Sequence, residues 1–189
     1  MKMRKIIVFN HVSLDGYFVG ENGDSSFAHK NSDDPEFTKW QANNAGSDAA
    51  FLFGRVTYQL MAGFWPTPQA KQQAPEIADA MNKRQKLVVS NTLDKVDWNN
   101  TKLLKGGLVQ EIKKIKSGSG PDILIFGSGT VISQLAQEKM IDTYMLVVNP
   151  VVLGKGRTMF EGLKQPQDFK LTDTRAFKNG KVLLNFEAS

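Results

Sequence analysis

Short apolar runs alternate along the chain with stretches whose apolar residues recur at helical spacing. The runs predict buried strands at residues 5–13, 49–53, 86–89, 122–126 and 143–153. The amphipathic stretches predict helices at residues 35–46, from about residue 57 to 63, and at 74–83, 106–116 and 130–139. Residues 94–105 predict one further short strand between turns. Strands that alternate with helices predict an α/β fold with a mostly parallel sheet and helices on both faces.

Two local signals refine this prediction. Asp34 is suited to cap the first helix and Pro35 to occupy its first turn, with Phe37, Trp40 and Ala45 on the buried side. Near the other end of the chain, the dipeptide Asn179-Gly180 lies between two strand-like segments, residues 169–177 and 181–187. This dipeptide is a strong hairpin signal, so the sheet is expected to end in an antiparallel pair.

Length and composition narrow the possible classes of protein. The 189 residues are 41% hydrophobic and 23% charged, which is typical of one globular domain spanning residues 1–189. No apolar run is long enough to cross a bilayer, and the start of the chain lacks the apolar core of a signal peptide, so we expect a cytoplasmic protein without a membrane partner. The net charge is +5 but the lysines are scattered, which disfavours a nucleic-acid partner. With no cysteine, the chain has no disulfide, thiolate nucleophile or cysteine zinc ligand.

Two short segments have the pattern of a phosphate-binding turn, Gly54-Arg55-Val56-Thr57 and Gly127-Ser128-Gly129-Thr130. Each follows a predicted strand and begins a predicted helix. A helix N-terminus offers unpaired N–H groups and partial positive charge, so the two segments predict parts of one nucleotide site. The alternative for Gly127 and Gly129 is close packing of a helix against a strand. For Arg55 the two interpretations are a solvated arginine at a helix start and a guanidinium group that binds a 2′-phosphate.

Reactive side chains are few. The sequence has no Gly-x-Ser-x-Gly elbow, no Walker lysine, no His-Glu-x-x-His, and only two histidines, His11 and His29. A standard Rossmann fingerprint is also missing, because Ile132 stands where its third glycine would be. Such a chain suits a reaction in which the cofactor supplies the chemistry, and hydride transfer from a nicotinamide is the simplest case.

Five motifs together resemble the dihydrofolate-reductase-like superfamily. The resemblance is closer to the RibD C-terminal domain, the reductase part of the bifunctional riboflavin-biosynthesis deaminase-reductase, here as a stand-alone member, and it covers nearly the whole chain. The motifs are Ser13-Leu14-Asp15-Gly16, Gly54-Arg55-x-Thr57-Tyr58, Val89-Ser90-Asn91, Ile125-Phe126-Gly127-Ser128-Gly129 and Leu153-Gly154-x-Gly156.

This resemblance implies an NADPH-dependent reductase without a metal and assigns candidate cofactor residues by motif position. The nicotinamide amide would meet backbone near His11 and Val12, and residues 15–20 would close over the ring. The phosphates and adenosine would contact Gly54, Arg55, Thr57, Ser90, Asn91, Gly127, Ser128, Gly129, Thr130 and Val131. In dihydrofolate reductases, two adjacent glycines joined by a cis peptide stand at the position of Gly127 and Ser128.

The candidate substrate residues are Asp15, Phe18, Phe64 and Trp65. Each has a structural alternative: Asp15 suits a turn, and aromatic residues before Pro66 suit the core. His11 is interpreted as structural because it lies mid-strand. The apolar strand from residue 144 to 152 either pairs across the two-fold of a homodimer, as dimeric members suggest, or is buried inside one subunit.

The implied reaction is hydride transfer to a small planar heterocycle, nominally that of a 5-amino-6-(5-phosphoribosylamino)uracil reductase. The deaminase half is absent, so another chain would make that substrate. In dihydrofolate reductases a carboxylate on the first helix binds the pterin, whereas here Asp33 and Asp34 precede Pro35. The alternatives are a dihydrofolate reductase, a reductase of another small electrophile, a non-catalytic NADP-binding regulatory protein, and a basic nucleic-acid binder with salt-dependent affinity.

Overall fold

A single mixed sheet forms the centre of the protein. The computed structural model describes residues 3–45 and 47–188, with the side chain of residue 45 excluded. The strands, with their bounds, are β1 Ile6–Ser13, β2 Ala50–Gly54, β3 Lys86–Val89, β4 Thr101–Leu104, β5 Ile123–Gly127, β6 Thr143–Asn149, β7 Phe169–Ala176 and β8 Val182–Ala188. In the described chain they form an eight-stranded sheet in the order β4-β3-β2-β5-β1-β6-β8-β7.

The first six strands of this order run parallel, and β8 and β7 are antiparallel. The predicted fold class is therefore confirmed, including the C-terminal hairpin. Gly180, in the turn between β7 and β8, has a φ of 84°, which is the left-handed conformation that the Asn-Gly signal requires.

The helices cover both faces of the sheet, as predicted. They are α1 Pro35–Ala45, α2 Arg55–Phe64, α3 Pro68–Gln73, α4 Pro75–Lys83, α5 Leu108–Ser117 and α6 Gly129–Gln137. Two short 3₁₀ helices, Glu21–Gly23 and Ser26–His29, lie in the long loop after β1. Asp34 caps α1 as predicted, because its Oδ1 accepts hydrogen bonds from the backbone N–H groups of Glu36 (2.9 Å) and Phe37 (3.2 Å). The predicted burial of Ala45 and the helix end at Gly46 lie outside the described residues.

Several predicted boundaries were wrong. Helix α3 was missed, although Thr67 accepts a hydrogen bond from the N–H of Ala70 at 3.2 Å and Pro68 occupies the first turn, both ordinary helix-start signals. Strand β6 ends at Asn149 rather than at residue 153, and Pro150, which lacks an N–H, cannot continue the ladder. Helix α2 begins at Arg55, directly after β2, so no residue separates the strand from the helix.

Two apolar clusters fill the space between sheet and helices. On one face, α5 and α6 pack through residues that include Leu108, Ile112 and Leu135. On the other, Phe37 of α1, Tyr58 of α2 and Met81 of α4 pack against an aromatic layer. That layer includes Phe9, Phe51, Phe53, Trp98 and Phe177.

Strand β6 is hydrogen-bonded on both sides, to β1 and to β8. Its backbone is therefore fully used within one subunit and cannot pair with a second copy. Pairing inside the sheet accounts for residues 144–149 of the apolar segment, whereas Val152 lies beyond the strand and is 66% exposed. A homodimer stays a prediction.

A buried lysine fixes the end of α4. Lys86, the first residue of β3, is fully buried, and its Nζ donates to the carbonyl oxygens of Met81 (2.8 Å), Asn82 (3.1 Å) and Arg84 (2.6 Å). Its ammonium group also lies 4.5 Å from the centre of the Trp98 ring. The side chain thus satisfies carbonyl groups that a helix C-terminus leaves unpaired.

We expect Lys86→Met to lower the free energy of unfolding by about 1–3 kcal/mol, because methionine fills the space but leaves these buried carbonyl oxygens without the ammonium donor. Urea unfolding measures the change. Lys83→Met is the matched control: Lys83 is exposed in the last turn of the same helix, and its replacement should stay within about 0.5 kcal/mol of the parent. Equal unfolding midpoints for the two variants would contradict the capping role.

Candidate cofactor and substrate site

The predicted cofactor residues meet along one edge of the sheet. Parallel strands bring their carboxyl ends to the same edge, and β3, β2, β5 and β1 are consecutive neighbours there. Ser90 and Asn91 follow β3, Arg55 follows β2, and Ser128 follows β5. The structure therefore places segments that are 35 residues or more apart in sequence along one short row.

The starts of α2 and α6 lie against each other in this row. Phe53 of β2 is paired with Gly127 of β5, so the residues that follow them are adjacent. A Cβ atom added at Gly54 would lie 3.2 Å from the Cβ of Ser128 and 3.2 Å from Cγ2 of Val131. A larger residue at position 54 would push the two helix starts apart.

Gly127 adopts a conformation that favours glycine. Its φ is 133°, and the peptide bond between Gly127 and Ser128 is cis. An added Cβ would lie 3.1 Å from Oγ1 of Thr57, so this hydroxyl of α2 faces the turn that begins α6. The hydroxyl groups of Ser128 and Thr130 are 2.9 Å apart.

Neither helix start is closed by a side-chain cap among the described hydrogen bonds. Gly54 and Ser128 are the N-cap residues of α2 and α6, and neither accepts a bond from its own first turn through a side chain. In α6 the N–H of Val131 already donates to the carbonyl of Ser128 at 3.0 Å, so the N–H groups that precede it are the ones available to an anion. At the same time, an added Cβ atom would lie 2.8 Å from Cζ of Phe18 at Gly129 and 3.1 Å from Oγ1 of Thr57 at Gly127, so close packing also favours glycine at both positions. The neighbouring atoms belong to a loop and to α2, and not to a strand as the alternative interpretation expected.

The remaining cofactor candidates have local partners. The Nη1 of Arg55 donates to Oε1 of Gln59 at 3.1 Å, one turn further along the exposed side of α2. The hydroxyl of Ser90 accepts from the N–H of Leu93 at 3.0 Å, and Oδ1 of Asn91 accepts from the N–H of Gly106 at 3.3 Å. These bonds hold the side chains beside the two adjacent helix starts, residues 54–57 and 127–131, which we call the cradle.

The loop after β1 is attached to the loop after β6. The Asp15 carboxylate accepts hydrogen bonds from the N–H groups of Leu153 (3.1 Å) and Gly154 (2.7 Å). The N–H of Phe18 donates to the carbonyl of Arg157 at 3.0 Å, and the N–H of Arg157 donates to the carbonyl of Val19 at 2.9 Å. A hydrogen bond from Ser13 and those from the Gly154 and Leu153 amides lower the pKa of Asp15 to about 2. The carboxylate therefore links the loop after β1 to the loop after β6 through hydrogen bonds.

Phe18 lies at the cradle itself. A Cβ atom added at Gly129 would be 2.8 Å from Cζ of Phe18, so the ring packs directly on the first residue of α6. Val12 is buried one residue before the end of β1, and its carbonyl accepts a bond from Nδ2 of Asn149 at 3.1 Å. The structure thus brings Val12 and Phe18 together with the predicted cofactor residues.

Phe64 and Trp65 lie elsewhere. They are at the far end of α2, about 15 Å along the helix axis from the cradle. Their ring centres are 5.1 Å apart, and Trp65 donates from Nε1 to the sulfur of Met61 at 3.1 Å while packing on the aromatic layer. A substrate contact at these two residues stays a prediction.

A polar group near the site was not predicted. Asn149, the last residue of β6, is buried, and its Oδ1 lies 3.4 Å from Nδ1 of His11. Burial and the nearby Lys181 lower the pKa of His11 to about 4, so the imidazole is neutral at neutral pH. Lys181 is itself buried and donates to the carbonyl of Ala28 at 2.7 Å. The sequence does contain a signal for Asn149: it is a polar residue at the end of an apolar strand, directly before Pro150.

The environment of His11 agrees with a structural interpretation. Its ring meets those of Phe9 and Phe37 edge-on, at centre distances of 5.7 and 6.2 Å. Within residues 3–45 and 47–188, no group of three or more acidic, histidine or cysteine residues is arranged to hold a metal ion. The helices described in that part of the chain include none that is long and apolar enough to span a membrane.

Comparison with known proteins agrees with this geometry. The family model of the RibD C-terminal domain matches residues 4–183. The uncharacterized protein YyaP of Bacillus subtilis is 28% identical over 184 residues, covering 96% of this chain and 94% of its own. A provisionally assigned riboflavin biosynthesis protein from Shewanella sp. PV-4 superposes with a TM-score of 0.73 at 23% identity, over 98% of this chain and 99% of its own. Dihydrofolate reductase from Enterococcus faecalis, in complex with NADP(H), gives a TM-score of 0.63 at 14% identity, over 98% and 96% of the two chains. The fold is therefore dihydrofolate-reductase-like.

We expect Asp15→Asn to loosen the two loops, because the neutral amide is a weaker acceptor for the Leu153 and Gly154 amides than the carboxylate. Hydrogen exchange measured by NMR should show faster exchange of these two amides. Asp24→Asn is the matched control, since Asp24 lies further along the same loop and its carboxylate accepts hydrogen bonds from the N–H and the hydroxyl of Ser26, with no described bond to the loop after β6. Unchanged exchange rates of the Leu153 and Gly154 amides in Asp15→Asn would show that the carboxylate does not hold the two loops together.

The same bonds predict a pH dependence. The pKa of Asp15 is about 2 in the folded protein and about 3.9 in an unfolded chain. The contribution of the carboxylate to stability is therefore complete above about pH 4 and is lost as the pH falls through about 2. The chemical shift of the Gly154 amide proton should titrate with a midpoint near pH 2, and this step should be missing in Asp15→Asn. A midpoint near pH 4 would show that the bonds are not formed in solution.

Proposed function

Since the chain belongs to the RibD C-terminal domain family, we propose that it is an NADPH-dependent reductase. It would transfer hydride to a small planar heterocycle, nominally as a 5-amino-6-(5-phosphoribosylamino)uracil reductase does. The observation that carries this proposal is the pair of uncapped helix starts, α2 and α6, that lie side by side at the carboxyl edge of the sheet. Two adjacent sets of free N–H groups match the two phosphates of a dinucleotide.

The residues around this pair fit the cofactor. Backbone at Gly54 and at Ser128 and Gly129 would bind the pyrophosphate, with the hydroxyl groups of Thr57 and Thr130 beside it. Arg55 lies exposed at the start of α2, where its guanidinium would bind the 2′-phosphate that distinguishes NADPH from NADH. Ser90 and Asn91 would line the adenosine end, and Val12 the nicotinamide end, with Phe18 over the first residue of α6. The bound nicotinamide would supply the hydride.

The surrounding side chains support hydride transfer without a protein acid. His11 stays neutral at neutral pH because its pKa is about 4, so it is a poor proton donor there. Water is the proposed source of the proton, and the protein contributes orientation and exclusion of competing solvent.

A dihydrofolate reductase is less well supported than a reductase of another heterocycle. Three carboxylates lie near the start of α1, and two of them are engaged: Asp34 caps the helix and also accepts a bond from the N–H of Asn179 at 3.1 Å, and Glu36 forms an ion pair with Arg175, while Asp33 is exposed before the helix. A pterin offers adjacent N–H donors, which require a free carboxylate.

We also propose that the protein acts in the cytoplasm, where NADPH is available. We further propose that it is a homodimer. The support for a dimer is the resemblance to dimeric members, together with β7, a long edge strand with most of its residues exposed. Light scattering on the purified protein measures the subunit number.

We expect the protein to bind NADPH more tightly than NADH, and Arg55→Ala to weaken NADPH at least about tenfold, since each 1.4 kcal/mol lost from a charged contact is a factor of ten. Calorimetric titration measures both. Lys113→Ala removes an exposed cation on α5 and should leave both affinities unchanged. Binding of neither cofactor by the parent protein would exclude the reductase.

Turnover separates the enzyme from a non-catalytic NADP-binding regulator. Steady-state oxidation of NADPH across a panel of pyrimidines, pterins and other small electrophiles should identify at least one substrate. Binding of NADPH without any turnover would favour the regulator.

A further inference from the structure

One ring nitrogen of His11 is left unused by the rest of the protein. Its Nδ1 faces the side chain of Asn149, whereas its Nε2 has no hydrogen-bond partner among the described residues. Nε2 is not one of the fully enclosed polar atoms of the described chain, and His11 as a whole is partly exposed. A ligand can therefore reach this nitrogen.

The amide of Asn149 decides which nitrogen of His11 carries the hydrogen. Its Nδ2 donates to the carbonyl oxygens of Val12 (3.1 Å) and Val147 (3.0 Å), which uses both amide hydrogens. The two carbonyls also fix the orientation of the amide, because a flipped side chain would set Oδ1 against them. Only Oδ1 is then left for His11, at 3.4 Å from Nδ1, so Nδ1 is the donor. A neutral imidazole with its hydrogen on Nδ1 presents a lone pair at Nε2.

The surroundings keep this imidazole neutral. Phe9 and Phe37 meet the ring edge-on and exclude water from its sides. The buried ammonium of Lys181 lies nearby, donates to the carbonyl of Ala28 and forms no ion pair with a carboxylate in the described chain. Burial first, and then the charge of Lys181, lower the pKa of His11 to about 4. At neutral pH, Nε2 is thus a hydrogen-bond acceptor and not a donor.

His11 lies beside the proposed nicotinamide end of the cofactor site. It directly precedes Val12 near the carboxyl end of β1. The described pairing of β1 with β5 covers only Ile6–Val8, although β1 continues to Ser13. The backbone beside His11 therefore has no strand partner on the β5 side in the described ladder. A ring inserted there would meet the imidazole.

The side chain of His11 faces α1, since its ring contacts Phe37 of that helix. The carboxylates of Asp34 and Glu36, at the start of the same helix, are already engaged. Nε2 of His11 thus offers an acceptor on this side of the sheet that is neutral, where a carboxylate would be charged.

From this geometry we infer that Nε2 of His11 accepts a hydrogen bond from a ring N–H of the molecule that is reduced. The substrate class is thus a neutral heterocycle with a lactam or imide N–H, because the buried charge of Lys181 disfavours a cationic ring. The aromatic contacts of His11 remain structural, and the substrate contact uses the nitrogen that they leave open. The inference rests on the proposed function, because it adds a substrate contact to the same cofactor site.

Nitrogen NMR of the protein labelled at histidine tests the first step without any ligand. Long-range proton–nitrogen correlations distinguish a ring nitrogen that carries a hydrogen from one that does not. At neutral pH, His11 should carry its hydrogen on Nδ1 and none on Nε2. His29 is the only other histidine, so the spectrum of His29→Phe assigns the signals. A hydrogen on Nε2 of His11 would overturn the inference.

The second step uses four ligands that differ only in their ring N–H groups: uracil, 1-methyluracil, 3-methyluracil and 1,3-dimethyluracil. Each is titrated by calorimetry into the full protein saturated with NADP⁺, so that no hydride is available. One of the two single methylations should weaken binding about two- to tenfold, which is the value of one neutral hydrogen bond.

Variants assign this effect to Nε2. His11→Phe keeps an aromatic ring and removes the acceptor, so uracil should bind it more weakly by the same factor and the effect of methylation should disappear. Because 1,3-dimethyluracil has no N–H, the parent and His11→Phe should bind it equally. His11→Gln places an amide near the position of Nε2 and should recover part of the affinity for uracil. His29→Phe is the matched control, since His29 is exposed in the loop after β1 and its loss should change none of these affinities.

The outcomes separate this inference from the proposed function. If His11→Phe weakens uracil and 1,3-dimethyluracil equally, the histidine acts through packing and the inference is overturned. If NADP⁺ binds but the parent binds all four uracils equally, or none of them, Nε2 is only solvated; the inference is again overturned and the cofactor site stands. If NADP⁺ does not bind, the proposed function fails and the inference fails with it.

Discussion

The pairing of β2 with β5 is the constraint on which the site depends. These strands are separated by about 70 residues in the chain, and their register sets Phe53 opposite Gly127. Because α2 and α6 begin within two residues of these strand ends, the pairing alone forces the two helix starts together. Glycine at position 54 allows Ser128 to approach, and a side chain there would separate the two helix N-termini. The availability of both sets of N–H groups to one ligand is thus a consequence of sheet register.

The second element of the site is held by electrostatics. The loop after β1 contains Phe18, which contacts the start of α6, and this loop is positioned by the carboxylate of Asp15. Its hydrogen-bonding partners belong to the loop after β6, 138 and 139 residues away in the chain. A charged acceptor makes these bonds stronger than neutral ones. Phe18 and Met159 also anchor the two loops in the apolar cluster that includes α6.

Buried charges away from the cradle have a different role. Lys86 and Lys181 each donate to backbone carbonyl oxygens and lie over an aromatic ring, Trp98 and Phe37 respectively. Their ammonium groups connect helix ends and loops to the aromatic layer, so they are structural.

The sequence by itself determined the local features of this protein: the alternation of strands and helices, the Asp34 cap, the Asn179-Gly180 hairpin and the two glycine turns at strand ends. Each depends on periodicity or on a residue within a few positions, which a single sequence displays. The motifs also identified the family before any contact was known. Only the tertiary structure decided the strand order, which makes β2 and β5 neighbours and places β6 inside the sheet. It also decided that Asp15 binds Leu153 and Gly154, that Phe18 covers Gly129, and that Phe64 and Trp65 lie away from the cradle. Such contacts join residues far apart in the chain, and their stability depends on the packing of the whole sheet, which no local pattern records.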